Sequence, residues 1–467
     1  MAQTKVSAAN PWADVIIIGG GASGTLMAFH LLRHQAADLR VVLIEQRPHA
    51  GRGIAYGTVN PEHLLNVRAD KMSGLPDEPE HFWSWLRAQP HDAMTGPRDK
   101  RDRSCFAPRI VYANYLASLL APFTARGGRH DRLRIVHGEC ASIEEGPSSV
   151  TATLADGSRH VGEFAVLATG HETGGKSGDC YVSPWMEPQS AGVNRNARVL
   201  IVGTGLTMVD YVLSLERAGH IGPIVAMSRR GLLPRPHRLQ RTLPIRAADI
   251  PSGAGCSQLL HWLRNLVTEH AAQGGDWRSV VDGLRPFNQQ IWQMLPHAAR
   301  RSFLRHARAW WNVHRHRMAP EVEARINAAI ASGHLTVMAA SLHATEPNDR
   351  GATIRYRRRG ATRIESLQVD NIVECRGVVT NPLQTSNPCI RSLLDGGRAR
   401  ADVLRIGLDV APNGALIDRA GTASERLFAV GPIARAALWE ITAIPEICGQ
   451  CAELAEDIKR TRLRLTG

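Results

Sequence analysis

Two glycine loops and a cysteine pair hold the residues whose types and spacing could do chemistry. Gly19, Gly21 and Gly24 stand in G-x-G-x-x-G order, with Ala22 and Ser23 inside the loop. Gly203 and Gly205 begin a second run, followed by Leu206 and Thr207, and Met208 holds its third glycine place. In such loops one glycine makes a tight turn, one lets backbone approach a pyrophosphate, and one brings helix close to strand. The helix then meets the phosphates with unpaired N–H groups. Near the end of the chain, Cys448 and Cys451 form a C-x-x-C. That spacing suits a dithiol that opens and closes as a disulfide. It equally suits two cysteines one helical turn apart.

These loops need strands before them and helices behind them. Val15 to Ile18 is a short, continuously apolar, β-branched run, which predicts a buried parallel strand. Leu26, Phe29, Leu31 and Leu32 then suit a helix. A second strand ends in Glu45 and Gln46, and Glu45 lies 21 residues after Gly24. A carboxylate there accepts hydrogen bonds from ribose hydroxyls and repels a 2′-phosphate. Val199 to Val202 repeats the pattern ahead of Gly203, but the next strand ends in Ser228, Arg229 and Arg230. Two guanidiniums and a hydroxyl suit a 2′-phosphate; a solvated basic turn is the plainer alternative. The two loops therefore predict two different dinucleotides, FAD in the first and NADPH in the second. Hydride would pass from NADPH to the flavin.

The bulk properties leave room for this and exclude other classes. At 467 residues, 43% hydrophobic and 21% charged, the chain predicts two or three globular domains. No apolar run approaches the roughly 20 residues of a membrane span. The leading MAQTKVSAANPWAD has no apolar core of a secretory signal and reads as a short tail. Eight cysteines are too few for a disulfide scaffold, so reduced thiols and a cytoplasmic location are expected. The formal charge of +13 invites a nucleic-acid reading. Its arginines are spread along the chain without a basic tail, which fits an anionic cofactor and substrate better.

Further stretches resemble the superfamily of flavoproteins with two dinucleotide-binding domains. Ala168-Thr169-Gly170 resembles the element that returns the chain past FAD, and IVECRGVVTNP stands where a second such element belongs, with Arg376 in place of the usual Thr. RLFAVGPIA resembles the late strand that ends, at Gly431, beside the ribityl chain. More narrowly, GRGIAYGT, HLLNVRADKMS, SRRGLLPRPH, WNVHRHRMAP and ALWEITAIPE resemble bacterial FAD/NAD(P)-binding proteins related to N-hydroxylating flavin monooxygenases.

The resemblance implies an α/β fold of two Rossmann-like dinucleotide-binding domains, the NADP domain inserted into the FAD domain, plus a helical insertion. Its boundaries would be 1–195 for the first part of the FAD domain, 196–375 for the NADP domain and 376–467 for the return. The implied activity uses NADPH and molecular oxygen to N-hydroxylate a small, anionic amine through a C4a-hydroperoxyflavin. Asn66 is the candidate for stabilising that adduct, with loop capping as its alternative. Arg52, Tyr56 and Met72 are expected at the cofactor, and Trp439 and Glu440 on its wall. Arg68 and Lys71 either greet the substrate or are solvated. The resemblance also implies that the last helix starts over Thr442 to Glu446, with Thr442 as a possible cap. Pro445 and Ile447 would then bring its N-terminus to the flavin. The competing readings are an NADPH-dependent disulfide oxidoreductase using Cys448 and Cys451, and an NADPH reductase with another acceptor. The ketone-oxidising motif F-x-G-x-x-x-H-x-x-x-W is absent.

Between His237 and about Ala331 the chain becomes helical and rich in Trp and Arg. Trp292, Trp310 and Trp311 are expected to be core residues. His314 and His316 are two apart, so they share no helix face and predict no metal site. Arg315 and Arg317 beside them read as a solvated helix, with a basic face toward substrate or cofactor as the alternative.

Overall fold

The computed structural model describes residues 13–34, 39–90, 102–124, 132–174 and 178–466; residues 1–12, read above as part of the leading tail, lie outside them. Strands β1 (Val15–Ile18) and β2 (Val41–Glu45) are buried along their whole lengths. Their apolar runs require this, because helices cover both faces of a parallel sheet. Helix α1 (Ala22–Leu32) joins them, and α2 (His81–Ala88) and α3 (Arg109–Leu120) lead to β3 (Leu133–His137). An antiparallel triplet, β4 (Cys140–Glu145), β5 (Val150–Leu154) and β6 (Arg159–Gly162), precedes β7 (Phe164–Leu167).

After β8 (Glu172–Thr173) and β9 (Tyr181–Val182), a second unit begins with β10 (Val199–Val202), α4 (Leu206–Arg217) and β11 (Ile224–Ser228). Helices follow: α5 (Cys256–Ala272), α6 (Trp277–Leu284), α7 (Asn288–Met294), α8 (His297–Ser302), α9 (Arg308–Arg315) and α10 (Pro320–Ala331). Strands β12 (Leu335–Asn348), β13 (Gly351–Arg358), β14 (Glu365–Val369) and β15 (Asn371–Glu374) complete the unit. The chain returns through β16 (Val378–Val379), α11 (Pro388–Asp395), β17 (Ala415–Ile417) and β18 (Ala423–Ala429) to α12 (Ile444–Thr466).

The first sheet has the order β17-β18-β7-β1-β2-β3, parallel except at the β17-β18 edge. The second has the order β14-β13-β12-β11-β10-β15-β9, parallel from β12 to β9. The second sheet is thus inserted between strands β7 and β18, which are neighbours in the first. Two Rossmann-like sheets nested in this way are the expected α/β fold.

Three sequence readings of the helical stretch change. Helix α10 is the crossover into β12 rather than an addition, because Val322 and Ile326 are buried in the second core. Trp292 is 2% exposed and stacks on Trp439 with ring centroids 4.6 Å apart, as a core residue should. Trp310 is not core: it is 43% exposed, with the Arg230 guanidinium 5.7 Å from its ring centre. Nor is the His314–Arg317 run a solvated helix. Arg315 and Arg317 are buried and paired with Glu440, Glu446 and Asp282. Periodicity hid this, since the acids that neutralise them lie on other elements.

Candidate functional site

The first cradle is built by steric necessity. Gly19 has φ +103°, and a Cβ there would lie 2.5 Å from the Ala168 carbonyl oxygen on the neighbouring strand end. A Cβ on Gly24 would come 1.8 Å from the Gly19 oxygen, so this glycine sets the approach of α1 to the loop. Helix α1 starts from Gly21 with no side-chain cap and no acid in its first turn. Its N–H groups therefore face the loop unopposed. The 51–57 segment folds over the loop: Gly51 N–H donates to the Gly20 carbonyl at 2.7 Å, and a Cβ on Gly21 would touch Gly53. Glu45 is buried and accepts from the N–H groups of Gly20 and Arg47 at 2.7 and 2.8 Å.

Gly19, Gly21, Ala22, Ser23, Glu45, Gln46, Arg52, Tyr56, Thr169, Gly170 and Ile447 line one continuous cleft. Thr169 Oγ1 is buried there without a hydrogen-bond partner. Gly431, at φ +72°, approaches so closely that a Cβ would lie 2.3 Å from Ser23 Oγ. A bare helix N-terminus, a ribose-end carboxylate and an orphaned hydroxyl fit the ADP and ribityl parts of FAD. Met72 departs from expectation. It is 2% exposed, and its carbonyl accepts the Tyr112 hydroxyl, so it packs in the first core instead of lining the cleft.

The second cradle repeats the turn but not the cover. Gly203 has φ +124°, and a Cβ would meet the Cys375 carbonyl oxygen at 2.3 Å. Gly205 has open space around it, and α4 starts there without a capping side chain or an acid in its first turn. Leu206 and Thr207 are half-buried in that turn, and Met208 is buried in the second core. At the ribose end, the Ser228 hydroxyl is 2.8 Å from Thr204 Oγ1 and accepts from Gly231 N–H. Arg230 donates to the His306 carbonyl. Arg229 is exposed and makes no hydrogen bond or ion pair among the described residues.

A seam joins the two domains. The His63 ring lies 2.9 Å from Ser214 Oγ and from the Asp210 carbonyl, and Arg109 pairs with Asp210 at 2.7 Å. His237 Nε2 lies 2.9 Å from the Asn66 carbonyl. Burial first, then Arg317, push the His237 pKa down to about 4, so the neutral ring donates this bond. Asn66 is thereby held at the seam by its backbone. Arg68 lies beside Asp70 at 3.4 Å and lines a cleft with His237, Arg238 and Glu321. Lys71 is exposed and apart from that cleft, so the structure does not bring the two together.

The last helix begins at Ile444, two residues after Thr442. Thr442 therefore falls one place short of the cap and lines the cleft instead. Pro445 faces the opposite side, beside Arg285 and Glu446. Glu440, at φ +64°, accepts from Asn288 at 2.7 Å, from Arg315 at 3.0 Å and from the Trp311 indole. Glu446 accepts from both Arg285 nitrogens at 2.6 and 2.9 Å and from Arg315. Burial alone would raise the Glu446 pKa; the Arg285 bonds and both arginine charges outweigh it and hold the group ionised. This network ties α12 to the helical stretch. Sequence reasoning missed most of it, because its members are separated by 125 residues or more.

The C-x-x-C is buried. The Cys448 thiol donates to the Gly74 carbonyl at 2.8 Å, and burial pushes its pKa up to about 12. Cys451 is fully buried against the Ser23 carbonyl, and burial raises its pKa well above the usual thiol value. Between them, Gln450 accepts from Gly431 N–H and donates to the Ala429 carbonyl, which fixes the end of β18. Thiols this buried supply almost no thiolate, the species that exchanges with disulfides.

Two further polar side chains escaped the sequence reading. His171 Nδ1 and Arg435 Nε are buried without partners in a cleft that continues from the first one. The signal was their position: His171 directly follows Ala168-Thr169-Gly170, and Arg435 lies four residues past Gly431.

Residues 16–172 match the model of the FAD-NAD(P)-binding family. No curated protein matches the chain. Among solved structures, ornithine hydroxylase PvdA from Pseudomonas aeruginosa in its reduced form has a TM-score of 0.65 at 14% identity, covering 96% of this chain and 99% of its own. The ornithine N-hydroxylase KtzI of Kutzneria sp. 744 has a TM-score of 0.64 at 15% identity, covering 97% and 100%. Thioredoxin reductase from Lactococcus lactis has a TM-score of 0.51 at 12% identity, covering 97% and 99%. Residues 16–172 are thus similar to an FAD-NAD(P)-binding domain, and the chain as a whole shares the fold of these solved structures.

Proposed function

We propose that this protein is an FAD-dependent monooxygenase that uses NADPH and O2 to N-hydroxylate a small, anionic amine. The observation that carries this reading is the pair of glycine cradles with opposite charge at their ribose ends, Glu45 in one and Arg229 in the other. A resident dinucleotide with a free ribose and a second one with a 2′-phosphate are what that contrast selects. The likeness in fold to ornithine hydroxylases supports the kind of reaction.

FAD, when bound, carries two electrons from NADPH to O2. The residues of this chain bind, orient and exclude water. Gly19, Gly21 and the first turn of α1 would hold the FAD pyrophosphate. Thr169 would offer its hydroxyl within the cleft, and Glu45 would accept from the ribose. The seam holds Asn66 by its backbone carbonyl, and its side-chain amide has no hydrogen bond among the described residues. Trp292, Phe303 and Trp439 pack together in an aromatic block before the start of α12, and Trp439 lines the cleft beside Pro445 and Glu446 instead of the expected cofactor wall. The cytoplasm, with its NADPH and reduced thiols, is the matching location.

The disulfide-reductase alternative is disfavoured by the burial of Cys448 and Cys451. The test is NADPH oxidation by FAD-loaded protein in air, with small amines varied for charge. Amine-dependent oxidation with a hydroxylamine product supports the reading. Oxidation that no amine accelerates, alongside brisk anaerobic turnover with a disulfide or quinone, contradicts it.

A further inference from the structure

A second cysteine pair, far apart in sequence, meets at the first cleft. Cys140 opens β4, and Cys389 lies in the first turn of α11. Both are buried in the first core, where β4 packs directly on α11. Their thiols are direct neighbours. The Cys140 thiol also reaches the Ser142 carbonyl at 3.5 Å. Contact with Cys140 first, then burial, pushes the Cys389 pKa well above the usual thiol value, so Cys389 keeps its proton.

Cys140 is the member with access, because it lines the cleft fitted to FAD. Asn387 lines the same cleft, and its side chain caps α11 two residues before Cys389. The pair therefore lies between two walls of one cleft. One wall comes from the chain before the inserted sheet and the other from the chain after it. Cys448 and Cys451 differ on both counts: each thiol donates to a backbone carbonyl, and neither lines this cleft.

We propose that Cys140 and Cys389 are a redox modification site, which hydrogen peroxide closes to a disulfide that staples two walls of the FAD cleft together. The Cys140 sulfur attacks one peroxide oxygen and becomes a sulfenic acid; the other oxygen leaves as water with the thiol proton. The Cys389 sulfur then displaces the sulfenic hydroxyl, which departs as water with the Cys389 proton. Each sulfur loses one electron, and both peroxide oxygens end as water. Peroxide is what two-electron reduction of O2 yields when no substrate takes an oxygen atom, so flavin reduced by NADPH in air supplies the oxidant. The staple does not depend on whether an amine is hydroxylated. It encloses the whole inserted sheet, and a cross-link that closes a long loop restricts the unfolded chain most.

The experiment treats FAD-loaded protein with a graded series of hydrogen peroxide, alkylates the remaining thiols after denaturation and maps the peptides without reductant. Wild type is expected to yield the Cys140 and Cys389 peptides joined, two hydrogen atoms lighter than their sum and separated by dithiothreitol. The joined form should release FAD more slowly on dilution and unfold a few degrees higher than the reduced form. Cys140→Ser and Cys389→Ser should each abolish the joined peptide and both shifts; should either variant misfold, the wild-type map decides alone. Three results would overturn the site: both cysteines still alkylated at peroxide doses that oxidise the half-buried Cys256, a cross-link between Cys448 and Cys451 in its place, or joined protein that releases FAD as fast as the reduced form.

Discussion

The two glycine cradles have the same turn and opposite surroundings. In the first, the 51–57 segment, Gly431 and α12 close over the loop, and Glu45 is buried against backbone N–H groups. In the second, Gly205 faces open space and Arg229 is exposed. Equal loops with unequal cover imply unequal exchange: a cofactor that stays and one that comes and goes. The helical stretch sharpens the asymmetry, because Asn288, Trp311 and Arg315 reach Glu440 just before α12, and Arg285 reaches Glu446 in its first turn.

The largest expected effect sets the two loops directly against each other. Gly24→Ala forces a Cβ into the Gly19 carbonyl and should cost about 3 kcal/mol or more, with loss of FAD. At the second loop Met208 already fills the place of Gly24, and Gly205→Ala, the counterpart of Gly21, meets nothing and should cost about 1 kcal/mol as a weakened helix start. Urea denaturation of both variants measures the difference, and equal losses would erase the contrast.

A second test uses pH on the buried wall of the first domain. His30 is 2% exposed and bonded to the Gly74 carbonyl, and burial pushes its pKa down from 6.5 to about 4. A group that binds its proton less well when folded stabilises above its unfolded pKa. That contribution, up to about 3 kcal/mol, should fade as pH falls from 6.5 to 4. In His30→Asn the slope of stability over this window should flatten; an unchanged slope removes His30 from the account.

At the second cradle, Arg229→Gln should cut the preference for NADPH over NADH by roughly tenfold or more, while FAD content stays constant. Ratios of kcat/KM for the two nucleotides, with flavin absorbance per protein, read both halves. The smallest effect on activity is expected from Cys448→Ser with Cys451→Ser. Stability should fall by about 1–2 kcal/mol as buried hydroxyls replace thiols, and NADPH-driven turnover should persist. Loss of all turnover in a folded double variant would restore the dithiol.

The parts legible in the sequence were those whose reason is local. Gly19 and Gly203 answer to a strand end, and the apolar runs before them make buried strands wherever they pair. Glu45 and Arg229 were readable as strand-end groups because each lies at a fixed spacing from its glycine loop. The parts that were not legible depend on distant partners. Arg315 and Arg317 look solvated until Glu440, Glu446 and Asp282 are seen beside them. Met72 sits in a segment expected at the flavin, yet Tyr112 draws it into the core. The C-x-x-C suggested redox chemistry because spacing says nothing about burial. Arg435 was passed over because nothing nearby in sequence shows that it lacks a partner.

The central claim is that NADPH supplies two electrons for the reduction of O2, one oxygen atom going to water and the other onto an amine nitrogen. The most direct measurement is a reaction of FAD-loaded protein with NADPH, aspartate or another dicarboxylic amine, and 18O-labelled O2, followed by mass spectrometry of the amine product. The account predicts a hydroxylamine, or a compound derived from it, bearing one labelled oxygen on nitrogen. Full NADPH consumption with unlabelled, unmodified amines across the whole series would contradict it.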